Sequence, residues 1–204
     1  AAAIRAGEWD PLIDAGTAVC DLPLSAPCGL YIDHHTTNAP TSAQANAMKT
    51  IGGQSLWRIA PSAARVAWEA LDGARLLPEI AAMMPLVDAI DAGTLSDTDY
   101  LTEPPLLTLA RCLSEDTPAL LGLLVDHFSR GGTLSAILTH PRVRGAIGRR
   151  RVQRAAVLAR LPVATTITDR LAVVRMENTG LKPSGLLVSC LLYTSDAADD
   201  SACV

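Results

Sequence analysis

Apolar residues are spread along this chain in two ways, and the change from one to the other outlines the fold. Near the start, short aliphatic runs stop abruptly at acids: Thr17-Ala18-Val19-Cys20 leads into Asp21-Leu22-Pro23, and Gly29-Leu30-Tyr31-Ile32 leads into Asp33-His34-His35. Short apolar runs bounded by turn residues predict buried strands, with Ser25-Ala26-Pro27-Cys28-Gly29 as the intervening loop. Residues 36–59 are polar, contain glycine and keep no steady period, which predicts a long substrate-handling loop.

Beyond that loop the period becomes helical. Residues 61–71 predict a helix capped by Ser62, with Ala63, Val66, Ala67, Ala70 and Leu71 as one apolar stripe. Residues 80–91 predict a second helix, interrupted at Pro85, that carries Asp88 and Asp91 on one face. Residues 106–113 and 117–129 predict two apolar helices, ended by Arg130-Gly131-Gly132. Residues 133–161 predict one long helix with Pro141 near its start. Residues 163–168 and 171–176 then read as a hairpin turning at Asp169-Arg170. The shift from helical to extended pattern puts a domain boundary near residue 161.

Composition adds limits. Hydrophobic content of 49% with 19% charged residues describes a folded globular chain and excludes long disorder. No apolar run reaches the roughly 18–20 residues that span a bilayer. The first eight residues lack the charged head and apolar segment of a signal peptide. With no initiator Met, the chain is expected to begin inside a longer protein. Residues 190–204 resemble the translated read-through of a sequencing-library transposon adapter and are expected to be a non-native tail. Without Asp196, Asp199 and Asp200 in that tail, the net charge of −4 becomes −1. Of the five cysteines, Cys190 and Cys203 go with it. Cys20, Cys28 and Cys112 remain at scattered spacing, which makes no disulfide set and fits a reducing cytoplasm.

The chemistry concentrates at the ends of the two strands. Asp33, His34 and His35 cannot share a face of a strand, but where the backbone turns they can fan around one point. Carboxylate with imidazole suits divalent metals of the Mn, Zn or Fe type, whereas a plain turn with two exposed histidines is the alternative. Asp21 and Asp33 each close a strand, and in an open α/β sheet that edge is where ligands sit. Asp21, Asp33, His34, His35 and Asp91, with no cysteine among them, describe an oxygen-rich two-metal site. Two cations can clamp phosphate oxygens and lower the pKa of a bridging water, so phosphate ester or anhydride hydrolysis is the natural reaction class. No GxxxxGK[ST] loop, GxSxG elbow or GxGxxG turn competes. Arg142, Arg144, Arg149, Arg150, Arg151, Arg154 and Arg160 lie on one helix. They either line a groove for a polyanion or coat a solvated linker helix with Val152, Ala155 and Leu158 facing in.

Ile32-Asp33-His34-His35 with Asn38 resembles the signature of the DHH phosphoesterase superfamily, which includes exonucleases, nanoRNA hydrolases, exopolyphosphatases and manganese-dependent pyrophosphatases. Val19-Cys20-Asp21-Leu22-Pro23 resembles its preceding aspartate motif, Pro61-Ser62-Ala63-Ala64 its following helix, and Ile90-Asp91-Ala92-Gly93-Thr94-Leu95 its later aspartate motif. The resemblance implies an α/β fold: a partial DHH domain over residues 1–132 with a parallel sheet flanked by helices, a linker helix over 133–161, and the opening hairpin of a C-terminal domain over 162–189.

By that resemblance Asp21, His34 and Asp91 ligate metal, with Asp88 as the rival to Asp91. His35 and Asn38 contact substrate, His35 at the scissile phosphate, and Asp33 orients a histidine from behind. The implied cofactor is Mn²⁺ or Mg²⁺, two ions in the full-length protein. The implied substrate is a phosphorylated small molecule, polyphosphate or short oligonucleotide, away from membranes, with a homodimer left open. The family's first motif, a histidine with paired aspartates, does not precede Asp21, and its glycine-rich GGGH segment is missing. This piece is therefore expected to be nearly inactive, although its parent is expected to be an enzyme. The alternative is a non-catalytic DHH-like module that binds nucleotide or metal for regulation.

Overall fold

The computed structural model describes residue 3 and residues 6–113, 117–168 and 171–181. The chain divides into two compact units, Ala1–Thr94 and Leu95–Val204. That division falls earlier in the chain than the limit at residue 132, which rests on motifs rather than on compactness. The tail over 190–204 and the turn residues Asp169 and Arg170 lie outside the described residues.

The first unit is a mixed α/β layer built on a parallel sheet. Strands β1 (Ala18–Cys20), β2 (Leu30–Ile32) and β3 (Gln54–Ser55) pair in that order. Ala18 lies opposite Leu30 and Cys20 opposite Ile32, and Tyr31 of the central strand lies opposite Ser55. Parallel pairing brings every strand end to one edge, so Asp21 and Asp33 leave the sheet side by side. The Asp21 N–H still donates to the Ile32 carbonyl at 2.9 Å. Val19, Leu24, Cys28, Tyr31 and Met48 form the core beneath, closed by Ile13, Leu22 and Trp57. The strands begin where backbones nearly touch. A Cβ on Gly29 would come within 2.1 Å of the Ala15 carbonyl oxygen, and one on Gly53 within 2.2 Å of that of Cys28.

The expected long loop over 36–59 is corrected. It holds a 3-10 turn (Thr36–Asn38), the helix Ser42–Thr50 and strand β3. Thr41 caps that helix reciprocally: its hydroxyl accepts the Gln44 N–H, and the Gln44 side chain accepts the Thr41 N–H. A capping box offsets the weak apolar pattern that made the segment look irregular. The helix Ala63–Ala70 is capped by Ser62. A 3-10 stretch (Pro78–Met83) then gives way to the helix Met84–Asp91, where Pro85 occupies the first turn and needs no donor.

The second unit is helical, with a core of Leu109, Cys112, Leu120, Leu124, Ile137, Val143 and Ala146. A short helix, Asp97–Thr102, has a capping box between Ser96 and Asp99. The expected single helix over 133–161 is two, Leu134–Leu138 and Pro141–Ala164, because His140 caps the second just before Pro141. Its inward face is also corrected. Val143, Ala146, Arg150, Val157 and Leu161 are buried, whereas Val152 is 71% exposed and Ala155 is exposed too. The helix runs on through Pro162, so the hairpin begins later than expected, with β4 (Thr165–Thr168) antiparallel to β5 (Leu171–Val174). Among the described residues no helix is long and apolar enough to cross a membrane.

Candidate metal-binding site

The site grows from the edge where β1 and β2 end. Asp21 turns the chain away from β1 in the left-handed region, at φ +58°. Aspartate tolerates that region better than most residues because its short side chain can bond locally. Asp33 follows β2 directly and is fully buried. Its Oδ1 accepts the N–H groups of His34 and His35 at 2.6 and 2.7 Å and lies 3.0 Å from His35 Nδ1. Its Oδ2 accepts Asn38 Nδ2 at 2.8 Å and the Tyr31 hydroxyl at 3.1 Å. Burial works to raise the Asp33 pKa, but the donated bonds from His35, Asn38 and His34 outweigh it and hold the carboxyl below the ordinary range. Burial pushes the Tyr31 phenol up, so the hydroxyl stays a donor.

Asp33 therefore anchors the fan from below, while the histidines above it are fixed at their far sides. The Trp57 indole donates to the His35 carbonyl at 2.9 Å. His34 Nδ1 lies 2.9 Å from the Ala60 carbonyl oxygen. A carbonyl only accepts, so Nδ1 carries a proton, and Nε2 is the nitrogen that faces the site.

Nε2 of His34 is 3.5 Å from Asp21 Oδ1 and 3.3 Å from Asp91 Oδ2, and His35 Nδ1 is 3.4 Å from Asp21 Oδ1. Asp21, His34 and His35 offer donor atoms that all lie within 4.8 Å of one another. Nε2 of His34 is buried and has no hydrogen-bond partner. A buried ring nitrogen without a hydrogen-bond partner, close to two carboxylate oxygens, calls for positive charge among them. Burial, then the neighbouring Asp91, raise the Asp21 pKa above the ordinary range, against the lowering effect of the two histidines. Crowded carboxylates with an orphaned imidazole nitrogen fit a divalent cation of intermediate softness.

The structure separates the two rival aspartates. Asp91 faces His34, whereas Asp88, one turn earlier, is held elsewhere. Asp88 Oδ1 accepts the Ser62 hydroxyl at 2.7 Å, and Oδ2 accepts Arg65 Nε at 2.9 Å and Nη2 at 2.5 Å. Asp21, His34, His35 and Asp91 are thus brought together, with Asp33 and Asn38 beneath. Tyr31, Trp57 and the Ala60 carbonyl belong to the supporting frame and were missed from sequence. Tyr31, two residues before Asp33, shares its face of the strand and could have been found. Trp57 lies 22 positions from His35 and gave no local signal.

No family model matches the chain, and no curated protein matches it. Among solved structures the chain is similar to a pGpG-specific phosphodiesterase, PggH, from Vibrio cholerae. The TM-score is 0.75 at 22% identity, over 94% of this chain and 64% of that one. The likeness shows a shared fold, and this chain spans less than two thirds of its neighbour's length.

Proposed function

We propose that this chain carries the metal-binding part of a DHH-type hydrolase of phosphoester or phosphoanhydride bonds. One observation carries the reading: the buried, partnerless Nε2 of His34 lies between the carboxylates of Asp21 and Asp91. Asp21, His34 and Asp91 hold a divalent cation, Mn²⁺ or Mg²⁺. A bound cation supplies Lewis-acid polarisation of water and of a phosphoryl oxygen. Asp33, through its bond to His35 Nδ1, leaves His35 Nε2 free to meet a substrate phosphate. Asn38 braces the same carboxylate and borders the substrate. The neighbour's activity on pGpG supports a short phosphodiester as the first substrate to try, with polyphosphate and nucleotide phosphates as the other members of the class.

The test is to titrate the protein with Mn²⁺ by electron paramagnetic resonance. Hydrolysis of pGpG, polyphosphate, short oligonucleotides and cyclic dinucleotides is then assayed, with His34→Ala as control. Mn²⁺ binding that is lost in His34→Ala is the expected result, with at most weak metal-dependent release of product, since the family's first motif does not precede Asp21. Binding and turnover unchanged in His34→Ala would sink the site assignment.

A further inference from the structure

The second unit holds a cluster of guanidinium groups beside one cavity. Its centre is the carboxylate of Glu103, 6% exposed, which pairs with Arg111, with Arg150 Nη2 at 3.4 Å and with Arg154 Nε at 3.5 Å. Arg154 also donates to the carbonyls of Tyr100 and Leu101. Beside this cluster lies a cavity of about 630 Å³, lined by Glu103, Arg144, Arg151, Gly148, Leu138 and Ile147 among others. That volume falls in the range of small-molecule sites.

Arg144 and Arg151 differ from the arginines of the cluster. Both are exposed, and among the described residues neither has an ion pair or hydrogen bond from its guanidinium. They stand seven positions apart on the helix Pro141–Ala164, two turns along one face. Gly148 sits between them, and a Cβ built there would meet no atom within 4 Å. A helix-interior glycine weakens a helix, and no packing contact here demands one. Its missing side chain leaves the cavity floor open between two unpaired cations.

We infer that this cavity binds a phosphorylated ligand with an apolar body, of the nucleoside diphosphate class. Arg144 and Arg151 take the phosphates, and Leu138 and Ile147 wall the apolar part. Guanidinium forks suit phosphate geometry, which accepts two parallel N–H bonds from each fork. The inference does not rest on the metal site of the first unit.

The experiment is calorimetric titration of the whole chain with adenosine diphosphate and, separately, with pyrophosphate. EDTA is present throughout, so that no cation bridges ligand to the first unit. Adenosine diphosphate should bind more tightly than pyrophosphate, with affinity falling as salt rises. Arg144→Ala/Arg151→Ala should weaken both at least tenfold. Gly148→Leu should abolish binding of both while its melting temperature holds or rises, because leucine is the better helix former. Any of three results would overturn the inference: no binding by the unaltered chain at low salt, equal binding by the double variant, or pyrophosphate binding as tightly as adenosine diphosphate.

Discussion

Asp88 and Asp91 stand three residues apart on one helix, yet they serve different networks. Asp88 Oδ2 is gripped by Arg65, while Asp91 Oδ2 lies 3.3 Å from His34 Nε2. The grip fixes the rotation of the helix Met84–Asp91 from its outer half, so that Asp91 faces the end of β2. Arg65 stays charged in that pairing, its pKa raised chiefly by the bond to Asp88.

The two aspartates should therefore fail in different ways. Asp91→Asn should weaken Mn²⁺ binding tenfold or more and leave the urea midpoint nearly unchanged. Asp88→Asn removes the charge that partners a half-buried Arg65 and should cost about 1–3 kcal/mol of stability. Its Mn²⁺ affinity should stay within about threefold, since the amide still accepts one bond. Paired EPR titrations and urea melts check both, and the opposite pattern would exchange the two assignments.

Asp33→Asn tests the anchor beneath the histidines. The carboxylate accepts five donors on two oxygens, whereas an amide has one accepting oxygen and would turn its own N–H groups on two of those donors. A loss of about 2–4 kcal/mol at pH 7 is expected. The Asp33 pKa is lowered in the fold, so its contribution is fully present above the ordinary aspartate value of about 3.9. The contribution is lost as pH falls through the depressed value. The gap between the two proteins should narrow on acidification in that window, and a gap independent of pH would contradict the assigned bonds.

Asp21 carries the opposite sign. Its pKa is raised, first by burial and then by Asp91, so the metal-free fold favours the protonated carboxyl. In EDTA, stability should fall as pH climbs from the ordinary aspartate value through the raised one. Asp21→Asn should flatten that slope while keeping a side chain that tolerates φ +58°. Mn²⁺ competes with this proton, so its affinity should increase with pH across the same window. Urea melts in EDTA and Mn²⁺ titrations at stepped pH measure the two limbs.

The sheet was legible because its edge is written in chemistry as well as hydrophobicity. Residues 17–20 and 29–32 are aliphatic and each ends in an acid, and parallel pairing turns that coincidence into proximity. Asp21, His34, His35 and Asp91 could be nominated because titratable groups at strand and helix ends have few other uses. The choice between Asp88 and Asp91 could not be made from sequence. It depends on Arg65, whose partner lies 23 positions away and obeys no local period. The helix Ser42–Thr50 was hidden for another reason. Its apolar face is thin, and its start is marked by hydrogen bonds between Thr41 and Gln44. Substituting Thr41 by Ala should cost about 1 kcal/mol in a urea melt, which measures how far that cap replaces hydrophobic patterning.

The arginine-rich helix was the least legible element in the sequence, and the reason leads to the last prediction. A pattern that treats every arginine as outward cannot foresee Arg150, buried at 9% exposure, or Arg154 turned onto Glu103. Glu103 ends the helix Asp97–Thr102 at φ +45° and presents its carboxylate to three guanidiniums. Truncating the shared partner of such a buried network takes one counter-charge from three guanidiniums at once, a cost of about 3–5 kcal/mol. Glu103→Ala should lose that much. Glu103→Gln should lose less, because it keeps one accepting oxygen while losing the charge. Replacing the network by apolar residues of similar volume, Glu103→Leu with Arg111→Met, Arg150→Met and Arg154→Leu, should recover most of the loss, since ion pairs of this kind offset their own desolvation rather than adding stability. Urea melts rank the variants, and a quadruple variant no more stable than Glu103→Ala would show that the charges themselves hold the second unit together.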